Sequence, residues 1–396
     1  MQIRKLEAFD VCIELRKPIR HASHVRDSTR NLLIRCELSD GSIGWGEGLP
    51  RPYVTGDSIE TAWSHLSSTD FSAMGNHDIS DGHGAASAVQ SLQLADVAPE
   101  GEATARECFG NPVRCALELA LLDATGRSTG RSLGELITQF PEAEEVACPV
   151  ESVRYSGAIT SGTPVKQMVS AAKMKLFGFH QVKVKVGAKG IDDASCLRRV
   201  RRVLGRRVDL RLDANEAWSA DQVLSRMEPL LKFAPTSLEQ PVPHDEVASL
   251  AAVRRQLSVP IMLDESLCCM EDARRAMDGG WCDIFNIRLS KCGGVLPAVQ
   301  LVKMAADAKL SFQLGCQVGE SGVLSAAGRH FACNIAGARY LEGSYDRFLV
   351  RQRLTCEDLT FGYGGRAPRI QGHGLGITVD EQQVERICRR KRTLLA

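Results

Sequence analysis

Two lysines lie on one short apolar segment, Val182-Lys183-Val184-Lys185-Val186. Strand alternation places the three valines on one face and both lysines on the other. If the segment is a barrel strand, its outer face packs on helices, so Lys183 and Lys185 point inward. A desolvated lysine has its pKa pushed down toward use as a general base. Taken alone, the segment also fits an edge strand with a solvated lysine face.

Three carboxylates follow the lysines at regular spacing. Asp213, Glu239 and Asp264 each stand at the end of a short aliphatic segment, and a patterned helix follows each one. From Lys185 onward the charges are 28, 26 and 25 residues apart. Short strands alternating with helices indicate parallel βαβ units. The spacing predicts a closed barrel that gathers these charges at the C-terminal ends of its strands, where barrel enzymes keep their chemistry.

Converging carboxylates repel one another unless a positive charge lies between them. Oxygen ligands without histidine or cysteine favour Mg²⁺ or Mn²⁺ over zinc. The sequence therefore predicts a magnesium site, with manganese as the alternative metal. Each carboxylate could instead be a helix N-cap or a loop residue, because both are common at strand ends.

A further lysine, Lys291, follows the apolar segment Ile284–Ile287 and precedes Gly293-Gly294. It would come from the second strand after the one that ends at Glu239. In a barrel, Lys185 and Lys291 could then face each other across the site. The glycines suit a tight turn into a helix or a close approach of the backbone to an anion.

Five ordered motifs together resemble the enolase superfamily and, within it, the muconate lactonizing enzyme subgroup. The motifs are Lys183-x-Lys185, Asp213-Ala214-Asn215, Glu239-Gln240-Pro241, Asp264-Glu265-Ser266 and Lys291-Cys292-Gly293-Gly294. The subgroup includes muconate cycloisomerases, o-succinylbenzoate synthases, N-acylamino acid racemases and dipeptide epimerases. The resemblance implies an α/β fold in which an α+β capping domain covers a modified TIM barrel, (β/α)7β, with one Mg²⁺ and two lysines flanking the α-carbon of a small-molecule carboxylate substrate.

The resemblance also implies roles for these residues. The metal ligands are Asp213, Glu239 and Asp264, with Asn215 and Glu265 behind them. Lys185 removes the α-proton to give a metal-stabilised enediolate, while Lys183 lies alongside and donates to the substrate carboxylate. Lys291 either returns a proton, which gives racemisation or epimerisation, or acts as a cation, which gives cycloisomerisation or elimination.

Substrate-binding residues are predicted around the mouth of the barrel. In the family that the chain resembles, loops at 19–26 and 50–57 close over the mouth, and their basic content would suit an anionic substrate tail. The predicted substrate-binding residues are Arg20, Arg51, Tyr53, Glu320 and Glu342. Any one of them could also belong to a solvated loop.

The sequence indicates removal of an α-proton more clearly than it indicates which overall reaction follows. Dipeptide epimerases carry an Asp-x-Asp pair after the eighth strand, but Tyr340 and Glu342 stand at these two places here. A standard dipeptide epimerase is therefore not expected. Glu320-Ser321 resembles the acidic residue of the cycloisomerase branch, which also contains racemases. We predict an isomerase that is cycloisomerase-like or racemase–epimerase-like, with a lyase as the further option.

Two other classes stay open. One is a Schiff-base or pyridoxal phosphate barrel, which would use one lysine and would not need three carboxylates on successive strands. The other is a non-catalytic metal-binding barrel, against which the cost of burying two unused lysines argues.

Length and composition are consistent with a two-domain enzyme. The 396 residues suit a capping domain at 1–150, completed by about 356–396, and a barrel at 151–355. Hydrophobic residues make up 44%, which is enough for a sizeable core. Lys plus Arg number 49 and Asp plus Glu 48, so charge gives no case for nucleic acid or an anionic membrane as a partner. We expect the basic segment 386–392 to form a charged terminal helix or tail.

The cell compartment is predicted from what the sequence lacks. The N-terminal residues show no apolar h-region, and no apolar stretch approaches the roughly 20 residues of a membrane span. The 14 cysteines include no C-x-x-C pair, which favours reduced thiols in a cytoplasmic protein. The resemblance implies a homo-oligomer.

Overall fold

The computed structural model describes residues 1–20, 25–77, 79–100, 105–160 and 162–396, apart from the side chains of residues 19, 20, 25 and 76. Its N-terminal part is an antiparallel sheet covered by helices. The strands are β1 (Ile3–Arg20), β2 (Val25–Leu38) and β3 (Ile43–Gly48), and the helices are α1 (Ile59–Ser68), α2 (Gly82–Ser91), α3 (Asn111–Thr129) and α4 (Leu133–Ile137). We call residues up to the end of α4 the cap.

Glycines bring α3 directly onto β3. Gly44, Gly46 and Gly48 alternate along the strand, so they all face the helix. A Cβ atom on Gly46 would lie 2.0 Å from the carbonyl oxygen of Ala116 in α3. Because only glycine leaves room for this approach, the spacing of three glycines fixes where the long helix lies.

The central part alternates strands and helices. In chain order the elements are β4 (Ser152–Arg154), β5 (Gly157–Ile159), α5 (Pro164–Leu176), β6 (Gln181–Lys185), α6 (Asp193–Leu204), β7 (Asp209–Asp213), α7 (Val223–Leu231), β8 (Ser237–Glu239), α8 (Leu250–Arg254), β9 (Ile261–Leu263), α9 (Met270–Gly279), β10 (Ile284–Ile287), α10 (Leu289–Cys292), α11 (Val295–Asp307), β11 (Ser311–Leu314), α12 (Gly322–Asn334), β12 (Ala338–Leu341) and α13 (Asp346–Leu349). Short 3-10 turns connect several of them.

Strands β5 to β12 form one parallel sheet in chain order. The amide of Ser156 donates to the carbonyl oxygen of Leu341 at 2.8 Å, which joins the first and last strands into a barrel. Three strands separate β6 from β10 in either direction around this barrel, so the two strands lie opposite each other. The predicted capping domain and barrel are confirmed.

The C-terminal segment returns to the earlier parts of the chain. Its elements are β13 (Arg366–Pro368), α14 (Glu381–Ile387) and β14 (Cys388–Leu395). Strand β13 pairs with β4, and β14 pairs with β1 in the cap sheet. The predicted terminal helix or tail is therefore wrong for 388–392, which form a strand because β1 offers acidic partners along a free edge. Arg390 Nε, for example, lies 2.8 Å from Asp10 Oδ2.

The described residues contain no helix that is both long enough and apolar enough to cross a bilayer. The 14 cysteines are free thiols, as expected.

Two buried carboxylates of the cap bind the N-terminal ends of barrel helices. Glu47 on β3 accepts from the amides of Ser321 and Leu324 at 3.0 Å, at the start of α12. Glu118 on α3 accepts from the amides of Val295 and Leu296 at the start of α11. Since the first amides of a helix have no partner within the helix and carry partial positive charge, both contacts tie the cap to the barrel.

The contact of Glu118 predicts a pH dependence of stability. Burial raises the pKa of Glu118 to about 8, although the amides of Val295 and Leu296 act to lower it. A pKa above the unfolded value stabilises the fold at low pH, and this contribution is lost as pH rises through about 8. We expect the free energy of unfolding to fall more between about pH 5 and about pH 9 in the wild type than in Glu118→Gln. Parallel curves from urea denaturation would contradict this.

Candidate active site

Strand register brings the predicted triplet together. Lys185, Asp213 and Glu239 lie side by side at the ends of β6, β7 and β8. Asp264 follows β9 by one residue. The three carboxylate residues are at most 2% exposed. The sequence thus placed the acidic residues correctly at one end of the barrel.

Lys183 lies among the carboxylates. Its Nζ is 3.2 Å from Glu239 Oε1, 3.3 Å from Asp213 Oδ2 and 2.9 Å from Glu342 Oε1. Burial acts to lower the pKa of Lys183, but attraction to these three acids outweighs it and raises the pKa well above its ordinary value. The expectation of a lowered pKa is therefore wrong for Lys183, which stays protonated.

Lys185 has a different environment, although it lies only two residues away. Its half-buried side chain donates to Asn215 Oδ1 at 2.5 Å. Among the described residues, no carboxylate oxygen lies within 4.0 Å of its Nζ. Asn215 has a left-handed backbone, with φ 44°, and its amide also contacts Glu265 Oε1 at 3.4 Å. Asn215 and Glu265, which were predicted to lie behind the metal ligands, thus contact each other, and Asn215 orients Lys185.

Lys291 lies across the barrel and is fully buried. Its Nζ donates to the carbonyl oxygens of Asp264 and Asn286, both at 2.7 Å, and to Asp264 Oδ1 at 3.0 Å. Burial acts to lower the pKa of Lys291, but the charge of Asp264 outweighs it and the pKa rises. Lys291 is therefore a fixed, protonated side chain opposite Lys185.

Arg288 and Asn286 were missed by the sequence analysis. The guanidinium of Arg288 contacts Asp264 Oδ2 and lies 4.0 Å from Glu239 Oε1. Asn286 Nδ2 donates to Glu239 Oε1 at 2.9 Å. Period-two alternation along β10 places Asn286 and the following Arg288 on one face, so the same reasoning that found the lysines could have found them.

Arg211 on β7 was also missed. It is fully buried inside the barrel, next to Lys183 in register. Its guanidinium donates to Glu342 Oε1 at 3.1 Å, contacts Gln313 and lies 4.5 Å from the centre of the Tyr340 ring. Arg211 and Asp213 alternate with Leu210 and Leu212 along β7, and this pattern in the sequence could have revealed Arg211 as an inward-facing residue.

Glu342 is the predicted substrate-binding residue that the structure places in the site. Burial acts to raise its pKa, but Lys183 and Arg211 outweigh burial and lower the pKa to about 2. The carboxylate is ionised and shared between two cations. It is therefore not open to a substrate ammonium group.

Three other predicted substrate-binding residues have contacts outside the triplet. Arg51 donates to Thr29 Oγ1 at 2.5 Å and to the Pro50 carbonyl at 2.6 Å in the cap, and to the Val318 carbonyl of the barrel at 3.4 Å. Tyr53 packs with Cys108 and Cys268. Glu320 accepts from the amide of Gln317 at 2.6 Å and lines a small cleft that also contains Glu342. The side chain of Arg20 lies outside the described residues.

The carboxylate triplet fits a divalent metal by its donor chemistry. All three donors are buried oxygens. Burial raises the pKa of Glu239 to about 8, and the negative charges of Asp213, Glu342 and Asp264 add to this rise, although Lys183 acts to lower the pKa. Additional positive charge would relieve this cost. In the described part of the chain, three metal-ligand atoms within 4.8 Å of one another occur in a different group, Glu107, Cys269 and Asp272. In both groups the carboxylates contact cationic side chains, which are Arg275 and Arg106 there and Lys183 and Arg288 at the triplet.

Comparison with known proteins matches both the fold and the family. Residues 167–383, more than half of the chain, match the family model described as enolase C-terminal domain-like. The N-succinyl-L-Arg/Lys racemase of Bacillus cereus is 28% identical over 333 residues, which cover 84% of each chain. A crystal structure of that racemase gives a TM-score of 0.85 at 23% identity, covering 99% of this chain and 100% of that one.

Two further crystal structures share the fold. The dipeptide epimerase of Cytophaga hutchinsonii, complexed with Mg and the dipeptide D-Ala-L-Val, gives a TM-score of 0.84 at 22% identity and covers 100% of both chains. The muconate lactonizing enzyme of Pseudomonas putida gives 0.81 at 20%, covering 98% of this chain and 100% of that one. The Bacillus cereus racemase is an isomerase by name, as is the L-Ala-D/L-Glu epimerase of Bacillus subtilis, which is 25% identical over 338 residues covering 84% of this chain and 86% of that one. The predicted enzyme class is confirmed.

Proposed function

The chain belongs to the enolase superfamily, in its muconate lactonizing enzyme subgroup, and from this premise we propose that it removes the α-proton of a small-molecule carboxylate and returns a proton to the opposite face. The reaction is then a racemisation or an epimerisation. The observation that carries the proposal is the position of Lys185 and Lys291 on opposite sides of one carboxylate triplet.

The environments of the lysines support different roles for them. Lys183 stays charged beside three acids, so its positive charge would attract the substrate carboxylate. Lys185 contacts a neutral amide oxygen instead of an acid and is half-buried, so it is the lysine to which we assign removal of the α-proton. Lys291 holds a proton at a fixed place and delivers it from the other side.

Asp213, Glu239 and Asp264 are the residues that would hold Mg²⁺ or, as the alternative, Mn²⁺. When bound, such an ion withdraws electrons from the substrate carboxylate and lowers the pKa of the α-proton. The protein residues contribute the positioning: Asn286 orients Glu239, and Lys291 orients Asp264.

Cycloisomerisation is the second candidate function. It is favoured by the ion pair of Lys291 with Asp264, which could keep the lysine as a cation that never transfers its proton. The state of Glu342 argues against a substrate whose free ammonium must bind there, because Lys183 and Arg211 already share this carboxylate.

Proton exchange tests the proposal. We expect NMR in D₂O with Mg²⁺ to show deuterium uptake at the α-carbon of one member of a library of dipeptides, N-acyl amino acids and muconate-type lactones. Since the triplet requires a cation, EDTA should stop the uptake and added Mg²⁺ should restore it. Deuterium uptake in both stereoisomers supports racemisation or epimerisation. Opening of a lactone ring, with no deuterium uptake by the dipeptides or N-acyl amino acids, supports cycloisomerisation. No reaction across the library would contradict the proposal.

A further inference from the structure

The turn that carries Lys291 is held from the cap. Asn111, the first residue of α3, donates through Nδ2 to the carbonyl oxygen of Lys291 at 2.9 Å. The same amide donates to the carbonyl oxygen of Cys268, also at 2.9 Å. In addition, the amide of Leu49 donates to Ser290 Oγ at 2.8 Å. Three hydrogen bonds from the cap therefore reach this turn or the loop beside it.

Close packing supports these hydrogen bonds. Gly293 and Gly294 follow Lys291 with φ of 91° and 132°. A Cβ atom on Gly294 would lie 2.0 Å from Glu118 Oε2, and one on Gly293 would lie 3.0 Å from Asn111 Oδ1. Because no side chain fits between them, α3 lies directly against the turn.

The amide of Asn111 joins two segments that meet again at the reacting end of the lysine. Cys268 belongs to the loop that begins at Asp264, and Lys291 Nζ donates to Asp264 on the barrel side. The backbone of Lys291 is thus fixed to this loop by Asn111, and its side chain is fixed to the same loop by Asp264. Both of the Nδ2 hydrogens of Asn111 are used.

We propose that Asn111 is a positioning residue that fixes Lys291 relative to Asp264, and so sets the proton transfer on one face of the substrate only. The inference rests on the proposed function, in which Lys185 and Lys291 serve opposite faces. A misplacement of about 1 Å can cost about 100-fold in rate, so small shifts of the turn are enough. Lys185 lies across the barrel and has no contact with Asn111, so its face is unaffected.

The test compares the two faces in one variant. Asn111→Asp keeps the shape of the side chain, removes both donated hydrogen bonds and places a carboxylate against two carbonyl oxygens. For the substrate found by the exchange experiment, we expect deuterium uptake from the stereoisomer whose α-proton faces Lys291 to fall about 100-fold. Uptake from the other stereoisomer should fall far less, and the ratio of the two rates is the readout.

Glu47→Gln is the matched control. It weakens a buried contact between cap and barrel at the start of α12, leaves both hydrogen bonds of Asn111 in place, and should change both rates by the same factor. If Asn111→Asp does not fold, Asn111→Ser, which loses at least one of the two hydrogen bonds, should shift the ratio in the same direction. Equal losses on both faces would overturn the role of Asn111 while leaving the proposed function in place. No exchange in the wild type would overturn both.

Discussion

Replacing Lys185 by alanine should reduce α-proton exchange from the stereoisomer that it serves by about 10³-fold, because a positioned general base contributes about 10² to 10⁴ in rate. The half-buried side chain pairs only with a neutral amide oxygen among the described polar contacts, that of Asn215. Its removal therefore leaves no buried charge without a partner. The loss should be one of chemistry, measured by NMR in D₂O, with the circular dichroism spectrum unchanged.

Lys189→Ala provides the control for Lys185→Ala. Lys189 is an exposed lysine four residues further along the same segment, and its replacement should leave exchange and folding unchanged. Exchange that persists in Lys185→Ala at the wild-type rate from both stereoisomers would remove Lys185 from the mechanism. The base would then have to be sought elsewhere in the site.

Replacing Arg211 by methionine should lower the free energy of unfolding by about 3 kcal/mol. Removing one partner of a buried ion pair typically costs about 3 to 5 kcal/mol. The lower end is expected because Lys183 still pairs with Glu342 after the change. Methionine fills much of the volume of Arg211 beside Tyr340, which limits the cavity left behind. Urea denaturation at constant pH measures the difference.

Arg339→Met is the comparison for Arg211→Met. Arg339 also lies over the Tyr340 ring, at 5.4 Å, but its side chain is exposed. Surface changes of this kind usually stay within about 0.5 kcal/mol. If both variants lose the same small amount, the network of Arg211 and Glu342 does not contribute to stability as the burial of Arg211 implies.

Local patterns in the sequence predicted the acidic triplet and the two-lysine strand. Alternation in Val182–Val186 and the even spacing of Asp213, Glu239 and Asp264 are properties of single strands and of one repeated unit, so they can be read without knowing the fold. The same alternation marks Arg211 and Arg288. Arg211 was not predicted because it lies two residues before Asp213, the charged residue that ends its strand. Arg288 directly follows β10, as Asp264 follows β9, so the even spacing also marked it.

Long-range contacts could not be predicted. The raised pKa of Lys183 depends on Glu239 and then on Glu342, and Glu342 reaches it only because β12 closes the barrel beside β5. Segment 388–395 reads as a basic tail, and it becomes a strand because β1 provides a free edge with acidic side chains. Strand formation depends on such neighbours more than on the residues themselves.

The pairing of β14 with β1 also has a consequence for biosynthesis. A ribosome makes β1 first and β14 only after every strand of the barrel, so the outer edge of β1 stays without its partner while the barrel is made. Unpaired strand edges are sites of aggregation. The nascent cap sheet is therefore open for most of translation, and a chain interrupted before Cys388 would contain all eight barrel strands and still expose this edge to other chains.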